Sequence, residues 1–205
     1  FNTIWAPMVF KWVSEGNIDF KIIDDISEYV LAAIYFLVVL SGLFSWIIPI
    51  FLPQSYAEIQ FIITACLLGP LFYSLSETTA VGIAIARKTK LAMLASIFAV
   101  LINLVGNYIL VPEYGTKGAA AATAIAFWSF FILRTEFSKL VWRKVPVLKS
   151  YTCVTVLTFC AVMSMFFLSE NSLVFISLWL ILLFIGLFVF LNIIKKLLVK
   201  FRMGF

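Results

Sequence analysis

Three consecutive stretches decide how this chain folds: LAMLASIFAVLINLVGNYILVP over Leu91–Pro112, EYGTK over Glu113–Lys117, and GAAAATAIAFWSFFIL over Gly118–Leu133. The first and third contain no Asp, Glu, Lys or Arg. The second follows a helix-stopping proline, carries both signs of charge, and holds a glycine free to take backbone angles closed to other residues. A bilayer core about 30 Å thick is crossed by about 20 apolar residues in helical form. In lipid the backbone polar groups must be satisfied within the segment, so each run is expected to be a helix. The three stretches together predict two membrane helices joined by a tight turn.

The same pattern extends in both directions. Tyr29–Ala57 is free of charge, Ile59–Ala86 has only Glu77, and Ser150–Ser169 and Asn171–Ile194 are again clean. The expected fold is therefore an all-α integral membrane protein with six transmembrane helices. Its connectors are short: Pro53–Glu58, the basic turn Arg87–Lys90, Pro112–Lys117, a longer basic loop over Lys139–Lys149, and a turn at Ser169–Ser172 able to cap the helix after it. Three regions are expected. Residues 1–28 hold the end of a preceding membrane helix, stopping at Pro7 and Lys11, and an amphipathic cytoplasmic connector with Ile18, Ile22, Ile26 and Tyr29 at helical spacing. Residues 29–138 form a four-helix core, and 139–205 contain the basic loop, two more helices and a basic tail. The opening residues lack the features of a signal peptide, and the chain reads as a piece of something longer.

Composition agrees. Hydrophobic residues make up 64% of the 205 and charged residues 12%, with mean hydropathy +1.12, whereas soluble domains carry about 25% charged residues. There is too little polar surface for a soluble enzyme and too much apolar surface for a disordered chain. Histidine is absent, removing the commonest general base and metal ligand. Cys66, Cys153 and Cys160 lie in apolar runs without metal-ligand spacing and read as free thiols. Counted by alternate connectors, every Lys and Arg except Lys117 falls on one side. The positive-inside rule then puts both termini in the cytoplasm. It also explains the net charge of +5 without nucleic acid, with membrane lipids as the partner of the basic loops.

No nucleophile–base set, paired carboxylates within a span or phosphate loop is visible, so catalysis is not expected. Glu77 is the one acid inside a span. It lies ten residues before Arg87, about 15 Å along an unbroken helix. It reads either as a cavity carboxylate for a cation or sugar hydroxyl, or as a carboxyl bonded to a neighbouring helix. Asn103 and Asn107 share a helix face, suited first to interhelical hydrogen bonds and second to a polar cargo. Gly118, Ala122 and Ala126 form a small-residue stripe for close helix approach. Arg87, Lys88 and Lys90 form the tightest cationic cluster, read as a topology signal or as an attraction for a phosphate head group. Arg134, near the inner end of the fourth span, carries the same pair of readings.

The run from Asn103 to Thr123, NLVGNYILVPEYGTKGAAAAT, resembles the N-x-x-x-N-Y-x-L-I-P-x-Y-G-x-x-G-A-A-x-A-T pattern of polysaccharide biosynthesis (O-antigen, Wzx-type) flippases in the multidrug/oligosaccharidyl-lipid/polysaccharide exporter superfamily. GIAIARKTK at Gly82–Lys90 resembles the helix end and turn that precede it, and Trp5-Ala-Pro7 and the Tyr56 turn fit too. Val111 stands where Ile is usual, and four Ala fill the GAA stretch. The likeness covers about residues 1–138; the last two spans match in hydropathy alone. The resemblance implies the second-lobe region of a 12–14-helix transporter in a bacterial cytoplasmic membrane. Its implied activity is alternating-access transfer of an undecaprenyl-pyrophosphate-linked oligosaccharide, without a cofactor and with a coupling cation left open. The polysaccharide polymerase machinery is a further candidate partner. Glu77, Asn103, Asn107 and Arg134 are the candidate cavity residues on polarity and depth, and Arg87, Lys88 and Lys90 the candidate head-group residues. Alternatives are a cation-coupled multidrug exporter, a peptidoglycan lipid-precursor flippase, and, from another class, a membrane subunit of a glycan-modifying enzyme. The short outer connectors and missing His count against the last.

Overall fold

A computed structural model describes residues 2–16, 19–167 and 172–203. All regular structure among them is helical: α1 (Asn2–Ser14), α2 (Phe20–Leu43), α3 (Ile48–Phe51), α4 (Ile59–Thr79), α5 (Val81–Ile85), α6 (Thr89–Val141), α7 (Leu148–Phe167), α8 (Ser172–Val189) and α9 (Leu191–Met203). Four of these, α2, α4, α6 and α7, are long and apolar enough to cross a membrane, and a shorter apolar stretch runs over Leu173–Val189. Lengths and compositions of this kind define an all-α, multi-pass membrane protein.

The deciding stretch forms one element that folds back on itself. Gly115 sits at φ 53° and ψ −126° inside α6 and divides it into two arms, on either side of the turn read from Pro112 to Lys117. The arms run antiparallel. Asn103 Nδ2 donates to Thr123 Oγ1 at 3.2 Å, and a Cβ on Gly106 would lie 2.9 Å from that of Ala122. Closer to the bend, a Cβ on Gly118 would meet the Leu110 carbonyl oxygen at 2.4 Å. Gly118, Ala122 and Ala126 are all buried, so the small-residue stripe faces the other arm. Lipid tails are as apolar as leucine, so burying apolar surface gives helices little reason to associate; close backbone approach and its dispersion contacts supply the attraction instead.

The second arm of α6 packs its Ala120, Ala121, Ala124 and Phe131 into a core shared with Leu68, Phe72 and Leu75 of α4, Val38 of α2, and Leu157 and Met165 of α7. α4 is the centre of the bundle, touching α2, α6 and α7. α8 packs mainly against α2 rather than against α7, its neighbour in sequence. The reason is again glycine: Gly42 of α2 admits the fully buried Trp179, and Gly186 of α8 admits Tyr35. The Tyr35 hydroxyl then donates to the Leu182 carbonyl at 2.8 Å, so the polar end of a buried ring is satisfied. The first arm of α6 stays bare: Leu101, Leu104, Val105 and Ile109 are exposed, as a lipid-facing surface would be.

Several boundaries differ from the sequence expectation. The amphipathic turns before Tyr29 and the apolar run after it are one helix, α2, capped by the Asp19 side chain accepting from the Lys21 N–H at 2.9 Å. Two of the acids on that helix are paired: Asp24 with Arg143 at 2.5 Å, and Glu28 with Lys149. The Arg143 guanidinium also lies against the rings of Phe20 and Trp142, 4.9 and 5.0 Å from their centroids, and the two rings meet edge to face at 5.8 Å. Part of the basic loop therefore has protein partners rather than lipid ones. That loop is shorter than its charges suggested, because Lys139 lies on α6 and Lys149 on α7. Pro7 does not stop α1, which continues to Ser14 with Trp5 and Val9 packed beside Ile23 and Val81. Charge-free sequence up to Ala57 does not prolong α2 beyond Leu43. Hydroxyls of Ser41 and Ser45 turn back to the carbonyls of Val38 and Gly42, and the chain continues as short turns with Trp46, Phe51 and Tyr56 exposed. Ser169, Glu170 and Asn171 of the expected turn lie outside the described residues; Ser172 begins α8.

Candidate functional site

Glu77 and Arg134, selected separately from the sequence, meet. Glu77 stands two residues before the end of α4, and Arg134 seven before the end of α6. Arg134 Nη1 donates to Glu77 Oε1 and to Ser76 Oγ, each at 2.7 Å. Both charged side chains are largely buried, 14% exposed for Arg134 and 18% for Glu77. Four-residue spacing builds the surround: Tyr73 precedes Glu77 on α4, and Phe130 precedes Arg134 on α6. Their rings stack at 6.0 Å with an angle of 10°, and the guanidinium carbon sits 5.8 and 5.1 Å from the two centroids. The arrangement gives Arg134 a charge partner, a hydroxyl and two aromatic faces while leaving further N–H donors on its fork.

The polar seam continues along the same helix pair. Thr79 and Thr135 hydroxyls are 2.7 Å apart, and Ser76, Thr78, Thr79, Thr135 and Ser138 are all buried. The Glu77 backbone carbonyl accepts from the Trp5 indole at 3.1 Å, tying α1 to the seam. α4 ends at Thr79 and α5 starts a separate short helix, so the 15 Å depth inferred for Glu77 from an unbroken rise is an upper bound.

Next to the seam lies a groove of about 460 Å³ between α4 and the two arms of α6, lined by Tyr73, Ser96, Asn103, Thr123, Phe127 and Phe130 among others. Tyr73 and Phe130 are shared by the groove and the Arg134 surround. Asn107 Nδ2 donates to Asn103 Oδ1 at 3.0 Å and to its carbonyl at 2.9 Å, holding the Asn103 amide toward Thr123. Asn103 thus both bonds across the hairpin and lines the groove, while Asn107 is behind it. Arg87, Lys88 and Lys90 stand apart as an exposed turn with Arg87 at φ 56°. No hydrogen bond or ion pair described joins that turn to Glu77, Asn103 or Arg134.

Sequence reasoning missed the hydroxyls of Ser76, Thr79 and Thr135 and the aromatic pair. The available signal was the Tyr73/Glu77 and Phe130/Arg134 spacing, which puts one aromatic and one opposite charge on a single face of each helix. Chemically the site can donate and accept hydrogen bonds and hold an anionic or hydroxylated group beside Arg134. Comparison with protein-family models, with curated proteins and with solved structures returns no match to this chain.

Proposed function

We propose that this chain forms part of a lipid-linked oligosaccharide flippase, moving a polyprenyl-pyrophosphate-borne glycan across a bacterial cytoplasmic membrane by alternating access. The observation that carries the reading is the Glu77–Arg134 pair buried between apolar helices next to a groove lined by Asn103, Thr123, Ser96 and Tyr73. A sugar head group cannot cross hydrocarbon without polar partners; Asn103, Thr123, Ser96 and Tyr73 are the polar groups of an otherwise apolar groove, and the Glu77–Arg134 pair lies beside it. The resemblance of Asn103–Thr123 to the flippase pattern supports the cargo class. Counting both arms of α6 and the shorter α8 gives six crossings, with the Lys149 end of the bundle cytoplasmic on the charge rule.

Two experiments test this. In a strain lacking its own flippase, a Glu77→Gln variant of the full-length transporter is expected to impair surface glycan display relative to the amount of transporter present in the membrane. Glutamine keeps an acceptor for Arg134 but removes the charge, so unchanged display would take Glu77 out of the transport path. For topology, Ser55→Cys and Glu113→Cys are expected to react with an impermeant thiol reagent from outside and Lys144→Cys only from inside. Reaction of all three from one side would overturn the six-crossing arrangement.

A further inference from the structure

α8 and α9 are consecutive helices of opposite character. SLVFISLWLILLFIGLFV, over Ser172–Val189, is apolar around its whole circumference, whereas LNIIKKLLVKFRM, over Leu191–Met203, contains four cations and no acid. The spacing of α9 gathers those cations and Asn192 on one half of the helix and most of the Leu and Ile positions on the other. This division of a short, weakly hydrophobic, basic helix suits an element lying flat at a membrane surface rather than crossing it. The break between the two falls at Phe190, which is fully buried against Tyr35 and Phe36, with the Lys149 ammonium 4.5 Å above its ring. The start of α9 is thereby fixed at the end of the bundle where Asp24 and Glu28 hold Arg143 and Lys149, and Ile193 is buried there too.

At that end the cations divide into two groups. Arg143, Lys149 and Lys139 are each taken up by an acid of the protein, Asp24, Glu28 and Glu136. Lys195 and Lys196 are exposed, on a helix without a carboxylate. We propose that α9 lies in the plane of the bilayer surface and holds anionic phospholipid head groups through Lys195 and Lys196, its apolar half resting at the boundary with the acyl chains. Charge complementarity selects the partner: a surface of phosphate-bearing, net-negative lipid is what a basic half-helix with an apolar underside binds, at about fivefold per cation. The inference is independent of the cargo, because it concerns no residue of the groove or of the Glu77–Arg134 seam.

The test is backbone hydrogen–deuterium exchange of the full chain in lipid nanodiscs, made either of phosphatidylcholine alone or with phosphatidylglycerol mixed in. Exchange over residues 191–203 is expected to slow by about 25-fold in the anionic discs, the effect of two cations, while α4 exchanges at one rate in both. Raising salt to about 0.5 M should remove much of the difference without any substitution, since the Debye length then falls to a few ångströms. A Lys195→Gln, Lys196→Gln variant should be slowed by the anionic discs much less than the parent is, by the share of those two cations. Equal exchange in the two lipids would overturn the proposal. So would full protection of α9 in lipid-free detergent, which would mean that it docks on the protein instead. Neither result would bear on the flippase reading, which the glycan-display assay reports separately.

Discussion

An Arg134→Leu variant is expected to lose about 3–5 kcal/mol of stability, the usual cost of removing one partner from a buried ion pair. The loss arises less from the missing attraction than from what stays behind. Glu77 Oε1 accepts from Arg134 Nη1 at 2.7 Å, and both side chains are largely buried. Without the guanidinium, a carboxylate is left among Tyr73, Phe130 and the apolar faces of α4 and α6, where an unpaired charge is poorly solvated. The Ser76 hydroxyl loses its donor in the same step. Adding Glu77→Gln to Arg134→Leu removes the stranded charge, so the double variant should recover much of the loss. Fluorescence-monitored unfolding in detergent measures all three proteins. If the single variant unfolds with the parent, or if the double variant is the least stable, the pair is not the internal brace described here.

The second large effect is expected at the bend of α6. A Gly118→Ala methyl would sit 2.4 Å from the Leu110 carbonyl oxygen and 2.6 Å from its carbon. Both are backbone atoms, so no side chain can rotate aside and the arms must part. Forced overpacking of this kind costs about 1–3 kcal/mol and occasionally more. Gly115→Ala acts differently: nothing lies within 4 Å of an added Cβ there, but φ 53° with ψ −126° is a backbone state that residues with a side chain avoid, at about 1–3 kcal/mol. A reporter is available in the hairpin itself. An Asn103→Cys, Thr123→Cys pair should be joined by a short bifunctional thiol reagent when the arms are closed, because the native side chains meet at 3.2 Å. The cross-link is expected to form in the parent and to fail when Gly118→Ala is added. Equal cross-linking in both would show that the close approach at Gly118 is dispensable.

What the sequence made legible was periodic and local. The two charge-free runs flanking Glu113–Lys117 announced helices joined by a turn, and the arms of α6 and the bend at Gly115 lie there. The Gly118, Ala122 and Ala126 stripe announced a close contact, made with the other arm of the same hairpin. What could not be read was partnership across long separations. Glu77 and Arg134 are 57 residues apart, and neither reveals the other in a single sequence. Asp24 and Arg143 are 119 apart, so the sequence shows an acid on the amphipathic stretch before Tyr29 but not the cation it pairs with. Hydropathy cannot mark the end of α2 either, because lipid-facing helix and apolar surface turn share one composition; Ser41, Gly42 and Ser45 set the end locally. Nor does order along the chain show that α8 lies against α2, since that depends on Gly42 and Gly186 admitting rings from the opposite helix.

The bend at Gly115 has a consequence for synthesis. Asn103 and Thr123 are separated by only 20 residues, so the amide finds its partner almost as soon as the later arm emerges from the ribosome. The two arms can then enter the insertion machinery as a zipped pair, with no bare amide spending time in oil. Tyr35 and Leu182 stand 147 residues apart, so the phenol on α2 must wait for every helix from α3 to α8 to be translated before it gains its acceptor. A nascent chain halted before α8 would hold a finished hairpin beside an α2 whose Gly42 and Tyr35 still lack Trp179 and the Leu182 carbonyl.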